Sequence, residues 1–240
     1  MSERLNFTKP EDVEKFESLP KYEKNILVNA AHEEANEMQA EKLVADKAFE
    51  QLKSHFSPEA KIERLNITIG GKKKNDLIGE LFQENRKKRI YFDSADIMNN
   101  EKFTTLERAT NIELVCVSPR DFGFLDRTSA YKIFEKASEL GLDLGPAEVG
   151  PYLALQLSPS EVESLLSGSS SRGYVKKIYV AMDGIVGNTN YGVLPNMFNV
   201  GVMDSDKENK LTSLGTTEVG RYGFDPDNRF IFALRIPKSQ

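Results

Sequence analysis

The sequence has little of what disulfides, metal sites and membrane spans require. Its 240 residues include one cysteine and two histidines, so it cannot form an internal disulfide or an ordinary structural zinc site. No apolar run approaches the roughly 20 residues that a membrane-spanning helix needs. The first residues also lack the basic and then apolar pattern of a secretory signal. We therefore expect a cytoplasmic protein that does not associate with a membrane.

Common catalytic and metal-binding patterns are also missing. His32 and His55 fall on one predicted helix, too far apart to share a ligand. Residues 204–208 match the start of a calcium-binding loop, but the glycine and the final glutamate of that loop are absent. No Gly-x-Ser-x-Gly pattern marks a nucleophilic serine. The sequence therefore predicts no metal site and no cofactor, and it favours a protein without enzymatic activity.

The charges are distributed unevenly along a chain whose net charge is −5. Residues 1–60 hold 8 basic and 13 acidic side chains, whereas residues 61–90 hold 9 basic and 4 acidic ones. The basic surplus forms two clusters, Lys72, Lys73 and Lys74, and then Arg86, Lys87, Lys88 and Arg89. Clusters about three helical turns apart could straddle nucleic-acid phosphates. A lysine-rich, solvated turn explains the same residues, since the first cluster lacks the Gly-Lys-Ser/Thr ending of a phosphate-binding loop.

Residues 1–58 are predicted to form a helical N-terminal segment. No glycine or proline interrupts residues 21–56, where apolar side chains recur at alternating spacings of three and four, the period of one helix face. The stripe is broken only by Lys42 and consists of Val28, Ala31, Ala35, Met38, Ala45, Phe49, Leu52 and Phe56. About 35 helical residues would extend about 50 Å, more than one small domain can cover. We therefore expect helix 21–56 to pack along the body or to pair with another chain as a coiled coil.

Residues 59–240 are predicted to form a compact α+β domain. Ser158 and Glu161 form the capping box that starts a helix, and a second helix is expected to start at Ser118. The residues after Pro151 alternate like a strand. Further strands are expected at 112–117, 175–182, 197–203, 211–214 and 229–236. Helices segregated before these last strands favour an α+β fold with a mostly antiparallel C-terminal sheet.

Three carboxylates are candidates for acid/base chemistry because they lie near the ends of predicted elements. They are Glu148, Asp121 and Asp126. For the two aspartates we favour structural capping over acid/base chemistry. Glu148 lies between two Gly-Pro breaks, which suit either a buried hydrogen-bond anchor or a binding contact, and we favour the anchor. Cys116 falls inside a predicted strand, where a small buried hydrophobe is expected.

Three stretches carry a resemblance to other sequences: residues 118–124, residues 139–151 around Pro-Ala-Glu-Val-Gly-Pro, and residues 225–230. In these stretches the chain resembles a group of uncharacterised bacterial proteins. The resemblance covers residues 61–238 and leaves the N-terminal helices outside it. It implies a shared compact domain but no known activity, cofactor or catalytic residue. Gly145 stands where cysteine is frequent in that group and Phe224 where tryptophan is frequent, so no reactive thiol is carried over.

These observations favour a non-enzymatic cytoplasmic binding protein. The domain at residues 59–240 would recognise a partner, and helix 21–56 would dock onto a protein partner or form a homo-oligomer. Two alternatives stay open. One is a carboxylate-based enzyme that acts on a phosphate-bearing substrate, and the other is a nucleic-acid-binding module that uses the basic residues within 72–89.

Overall fold

The computed structural model describes residues 10–83, 88–167, 176–189, 192–206, 209–220 and 223–236. The helices in these ranges are α1 (Pro10–Ser18), α2 (Lys21–Lys53), α3 (Lys74–Leu81), α4 (Phe92–Asn99), α5 (Ala130–Glu139), α6 (Val149–Gln156) and α7 (Pro159–Leu165). The strands are β1 (Glu63–Ile69), β2 (Lys88–Ile90), β3 (Thr110–Val117), β4 (Leu142–Asp143), β5 (Lys176–Val180), β6 (Ile185–Thr189), β7 (Gly192–Asp206), β8 (Asn209–Glu218) and β9 (Arg229–Leu234). The fold is α+β, as the sequence predicts.

The chain divides into two compact units, Met1–Lys47 and Ala48–Gln240. The boundary lies inside α2, whereas the change of sequence pattern had suggested a division after Pro58. In the first unit, the Lys24 ammonium donates a hydrogen bond to the Glu17 carbonyl and lies 5.9 Å from the centre of the Phe16 ring. These contacts pack the end of α1 against the start of α2.

The strands of the second unit form one sheet in the order β1-β3-β9-β5-β7-β8-β2, with β4 beside β9 and β6 beside β7. The sheet is mixed rather than mostly antiparallel, because β5 runs parallel to β9 and β2 runs parallel to β8. After β8 the chain returns across the sheet and inserts β9 between β3 and β5. Strand periodicity alone cannot reveal such an insertion, since alternation reports burial and not the direction of pairing.

The core is centred on β9, whose six residues are all buried. Phe230 and Phe232 project from the same side of this strand and pack against aromatic rings from other elements. Phe134 of α5 and Phe122 each meet the Phe232 ring edge-on at 6.0 Å between centroids, and Phe224 meets Phe230 at 5.0 Å. Edge-on aromatic pairs add to the stabilisation that burial alone provides.

Several local predictions are confirmed, and two are wrong. Ser158 and Glu161 form the predicted capping box of α7, and β3 contains the predicted strand at 112–117. The expected helix at Ser118 is a series of turns, in which the Asp121 carboxylate accepts hydrogen bonds from the Ser118 backbone N–H and hydroxyl. The residues after Pro151 belong to α6, not to a strand.

Candidate functional site

A polar pocket of about 190 Å³ lies at the end of β3 and the start of β9. Three acidic and three basic side chains line it: Glu59, Asp121, Asp227, Lys61, Arg120 and Arg229. Arg120 pairs with Asp227 at 2.7 Å between Nε and Oδ1. The charges of the lining therefore balance, and the pocket does not present a surplus of either sign to a ligand.

Arg229 forms the buried wall of this pocket and is tied to distant parts of the chain. Its Nε donates to the Leu165 carbonyl at 3.0 Å, and its Nη1 donates to the Lys61 carbonyl at 2.7 Å. Its Nη2 donates to the Glu63 carboxylate at 3.2 Å and to the Cys116 carbonyl at 3.3 Å. The guanidinium is thus occupied by the protein itself, and it joins four segments of the compact unit.

Asp121 lies in this pocket, 3.7 Å from Arg229 Nη1. Its Oδ2 accepts hydrogen bonds from both the backbone N–H and the hydroxyl of Ser118, each at 2.7 Å. These two hydrogen bonds hold the turn that follows β3, where the sequence had predicted a helix start. Asp126 is exposed on the loop before α5 and does not line the pocket.

Glu148 occupies a different place, at the beginning of α6. Its side chain is completely buried, and Oε1 accepts a hydrogen bond from the Leu106 backbone N–H at 2.9 Å. Oε2 makes no hydrogen bond with any residue that the structure describes. Burial raises the pKa of the Glu148 carboxyl, and the hydrogen bond from the Leu106 backbone N–H opposes this rise. The geometry agrees with the anchor interpretation of Glu148.

Glu148 belongs to a column of polar side chains along α6. Tyr152 and Gln156 follow it at successive spacings of four, which place the three residues on one side of the helix. The Tyr152 hydroxyl donates to the Gly70 carbonyl at 2.7 Å, and the Gln156 amide donates to the Thr68 carbonyl at 2.6 Å. Tyr152 and Gln156 therefore satisfy backbone groups at the end of β1, which is an outer strand of the sheet.

The structure does not bring the candidate carboxylates together. Asp121 contacts Ser118, which directly follows β3, while Glu148 contacts Leu106, which precedes the same strand. Eight strand residues span about 26 Å. Groups at opposite ends of β3 cannot share one substrate atom, so Asp121 and Glu148 do not form an acid/base pair.

The basic clusters are only partly described, because Arg86 and Lys87 lie outside the described residues. Lys72 pairs with Glu80, and the Lys74 ammonium donates to the Asn100 carbonyl at 2.7 Å. Lys73 is the residue that precedes the first turn of α3. Lys88 begins β2, and the Arg89 guanidinium lies 5.4 Å from the centre of the Tyr91 ring. Lys72 and Lys74 therefore already have partners within the protein.

Helix α2 carries several exposed large apolar side chains. Every described side chain from Val28 to Leu43 is exposed to solvent. The exposed fraction is 42% for Val28, 54% for Met38 and 55% for Leu43. Farther along the same predicted stripe, Leu52 is buried. The stripe is therefore covered at one end of α2 and open over about 16 residues, or about 24 Å, at the other.

Sequence reasoning found the α2 stripe but missed the Arg229 cluster. The stripe shows in the sequence as a helical period, whereas the partners of Arg229 come from residues 61, 63, 116 and 165, which no local pattern connects. The only local signal was an arginine at the head of the apolar run Phe-Ile-Phe-Ala-Leu. A charged residue beside such a run is usually the exposed end of a strand.

Comparison with known proteins identifies no relative: no protein-family model, no curated protein and no solved structure matches this chain. Within the described ranges, no group of three or more His, Cys, Asp and Glu side chains is placed to hold a metal ion. None of the helices that the structure describes is long and apolar enough to cross a membrane. The function must be inferred from the geometry of the residues themselves.

Proposed function

We propose that this protein is a non-enzymatic binding protein that associates with a protein partner, or with a second copy, through helix 21–56. The observation that carries the proposal is the open apolar stripe on α2. Val28, Ala31, Ala35 and Met38 recur at helical spacing, and all four are exposed. Single exposed apolar residues are common on protein surfaces, but a periodic row of them along one helix face is the pattern of a helix that packs against another.

Burial of the apolar side chains of this stripe would contribute favourable free energy to association. Complete burial of a valine or methionine side chain is worth about 1.5–3 kcal/mol. The alanines add little buried area, but their small size lets two helix backbones approach closely. A helix that is open on all sides gains little from its own propensity in water, so a covering partner also stabilises the span from Val28 to Leu43.

The geometry supports the two alternatives less well. The enzyme hypothesis requires carboxylates that converge on one pocket, and Asp121 and Glu148 lie at opposite ends of β3. The nucleic-acid hypothesis requires free basic side chains, and Lys72 and Lys74 are engaged with Glu80 and Asn100. The resemblance that covers residues 61–238 stays a prediction about a shared domain.

Two matched variants test the proposal in the full chain. Ala35 lies in the stripe, and Ala40 lies on the opposite side of α2, since five residues advance a helix by about 500°. Both are exposed and both become aspartate, so Ala35→Asp and Ala40→Asp carry the same change in charge and helix propensity. Sedimentation velocity of the chain, labelled at its N-terminal amine, would be measured in buffer and in cell lysate.

We expect Ala35→Asp to abolish a complex that the wild type and Ala40→Asp both form. Circular dichroism of each variant confirms that the helix content is unchanged. Monomeric sedimentation of all three proteins in both media would refute the proposal. A complex that survives in Ala35→Asp would also refute it, because the partner would then bind elsewhere.

A further inference from the structure

The charges on α2 indicate whether the apolar stripe binds a second copy of this chain or a different protein. Residues 33–41 hold four acidic and no basic side chains. Three of them, Glu33, Glu37 and Glu41, recur at a spacing of four and are exposed. The open part of α2 therefore has an apolar stripe on one side and an acidic surface beside and behind it.

The acidic residues have defined positions relative to the stripe. At about 100° per residue, Glu41 lies about 60° around the helix axis from Met38 and therefore borders the stripe. Glu33 lies about 180° from the centre of the stripe and faces away from it. In the heptad that places Val28, Ala35 and Lys42 at one core position, residues 34 and 41 fall at a flanking position, where charges select the partner of a helix.

Pairing of α2 with a second copy brings like charges together in either direction. In a parallel pair, Lys42 would oppose Lys42 of the other copy, and Glu41 would lie near Asp46. In an antiparallel pair, the flank that carries residues 34 and 41 would face the same flank of the other copy. Like charges at these positions oppose association.

We infer that the occupant of the α2 stripe is a basic amphipathic helix of a different protein. This inference rests on the proposed function and names the class of partner. Its lysine or arginine side chains would lie against the acidic flank at Glu41, and its apolar side chains would cover Val28 to Met38. Charge complementarity at the rim of an interface chiefly sets selectivity and the rate of association, so the choice of partner would depend on ionic strength.

Two synthetic peptides of 21 residues serve as probes. Both repeat the same heptad of leucine, isoleucine and alanine, with lysine at both flanking positions in one peptide and glutamate in the other. The anisotropy of each labelled peptide is followed as the full-length chain is added, at low and at physiological ionic strength. We expect the basic peptide to bind at least about tenfold more tightly than the acidic one, with a difference that shrinks as salt is added.

Charge reversal at two positions separates docking on the stripe from general attraction. Glu41→Lys and Glu33→Lys change the net charge equally, and each places a lysine four residues from Glu37. We expect Glu41→Lys to weaken binding of the basic peptide about fivefold and Glu33→Lys by less than about twofold. Equal effects of the two variants would overturn the inference, as would equal affinities for the two peptides.

The outcomes also separate this inference from the proposed function. If neither peptide binds and the chain forms a dimer that Ala35→Asp abolishes, the basic partner is excluded and association through α2 stands. If neither peptide binds and Ala35→Asp sediments like the wild type in buffer and in lysate, both proposals fall.

Discussion

Replacement of Arg229 by methionine is expected to cost the fold about 3–5 kcal/mol, the amount typical of breaking a buried charge network. The Arg229 side chain is 3% exposed. Methionine fills a similar volume but cannot donate a hydrogen bond, so the buried carbonyls of Leu165 and Cys116 and the more exposed carbonyl of Lys61 would lose this donor. Each buried acceptor left without a partner costs about 1–3 kcal/mol.

The carbonyls account for more of this loss than the ion pair with Glu63 does. The Glu63 side chain, which Arg229 contacts at 3.2 Å, is 30% exposed, so water screens the pair and compensates its carboxylate after the substitution. The Arg229→Lys variant retains the charge but has a single nitrogen in place of the three that donate in the wild type. We therefore expect its stability to lie between those of the wild type and Arg229→Met.

Arg235 provides the matched control. It also binds a carboxylate, that of Asp143, but its side chain is 47% exposed. Arg235→Met should cost little stability, because water screens an exposed ion pair. Urea unfolding followed by circular dichroism gives the midpoint and slope for each variant. If Arg229→Met loses no more stability than Arg235→Met, burial does not determine how much an arginine's contacts stabilise the fold. The claim that the buried contacts of Arg229 stabilise this protein would then be wrong. If Arg229→Met does not fold, the lysine variant still tests the ranking.

Three further predictions concern the core and its titratable groups. Gly150→Ala should destabilise the fold by about 1–3 kcal/mol, because the added Cβ would lie 2.5 Å from the Cβ of Phe198. Gly79→Ala should stabilise the fold by about 0.5–1 kcal/mol, because no atom lies within 4 Å of its added Cβ. Urea midpoints that shift in the same direction for both variants would contradict this prediction. Burial raises the pKa of Glu148, so ionisation of this carboxyl destabilises the fold. Relative to Glu148→Gln, the wild type should lose stability as pH rises through the raised pKa. The difference in unfolding free energy between the two proteins should become constant below about pH 4. A pH-independent difference would show that folding leaves the pKa of this carboxyl unchanged. Burial raises the pKa of Cys116 to about 12, so a thiol reagent should label it only when the protein unfolds, and rapid labelling of the native protein would contradict its burial.

The sequence predicts those elements whose signal is local. Helix α2 was predictable because no glycine or proline interrupts it, and the start of α7 was predictable because Ser158 and Glu161 carry both halves of a capping box. The two Gly-Pro breaks around Glu148 favour a buried anchor over a binding contact, and its hydrogen bond to Leu106 is consistent with an anchor.

Elements that are buried on every side cannot be predicted from the periodicity of the sequence. The first six residues of α6, Val149 to Ala154, are all buried, so this part of the helix has no solvent-exposed face and its sequence lacks an amphipathic period. Long-range pairing is equally hidden. Neither the insertion of β9 beside β5 nor the contacts of Arg229 with Lys61 and Leu165 depend on residues that are neighbours in sequence.

Hydrogen exchange of the full chain, with and without the basic peptide, tests the central claim most directly. The backbone amides from Val28 to Leu43 belong to a helix with exposed side chains, and we expect them to exchange rapidly in the free protein. The account predicts that the peptide slows exchange in this span and leaves the amides near Arg89 and around the pocket at Arg229 unchanged. Slowed exchange at either of those places, with none in the α2 span, would contradict the claim that α2 carries the binding surface.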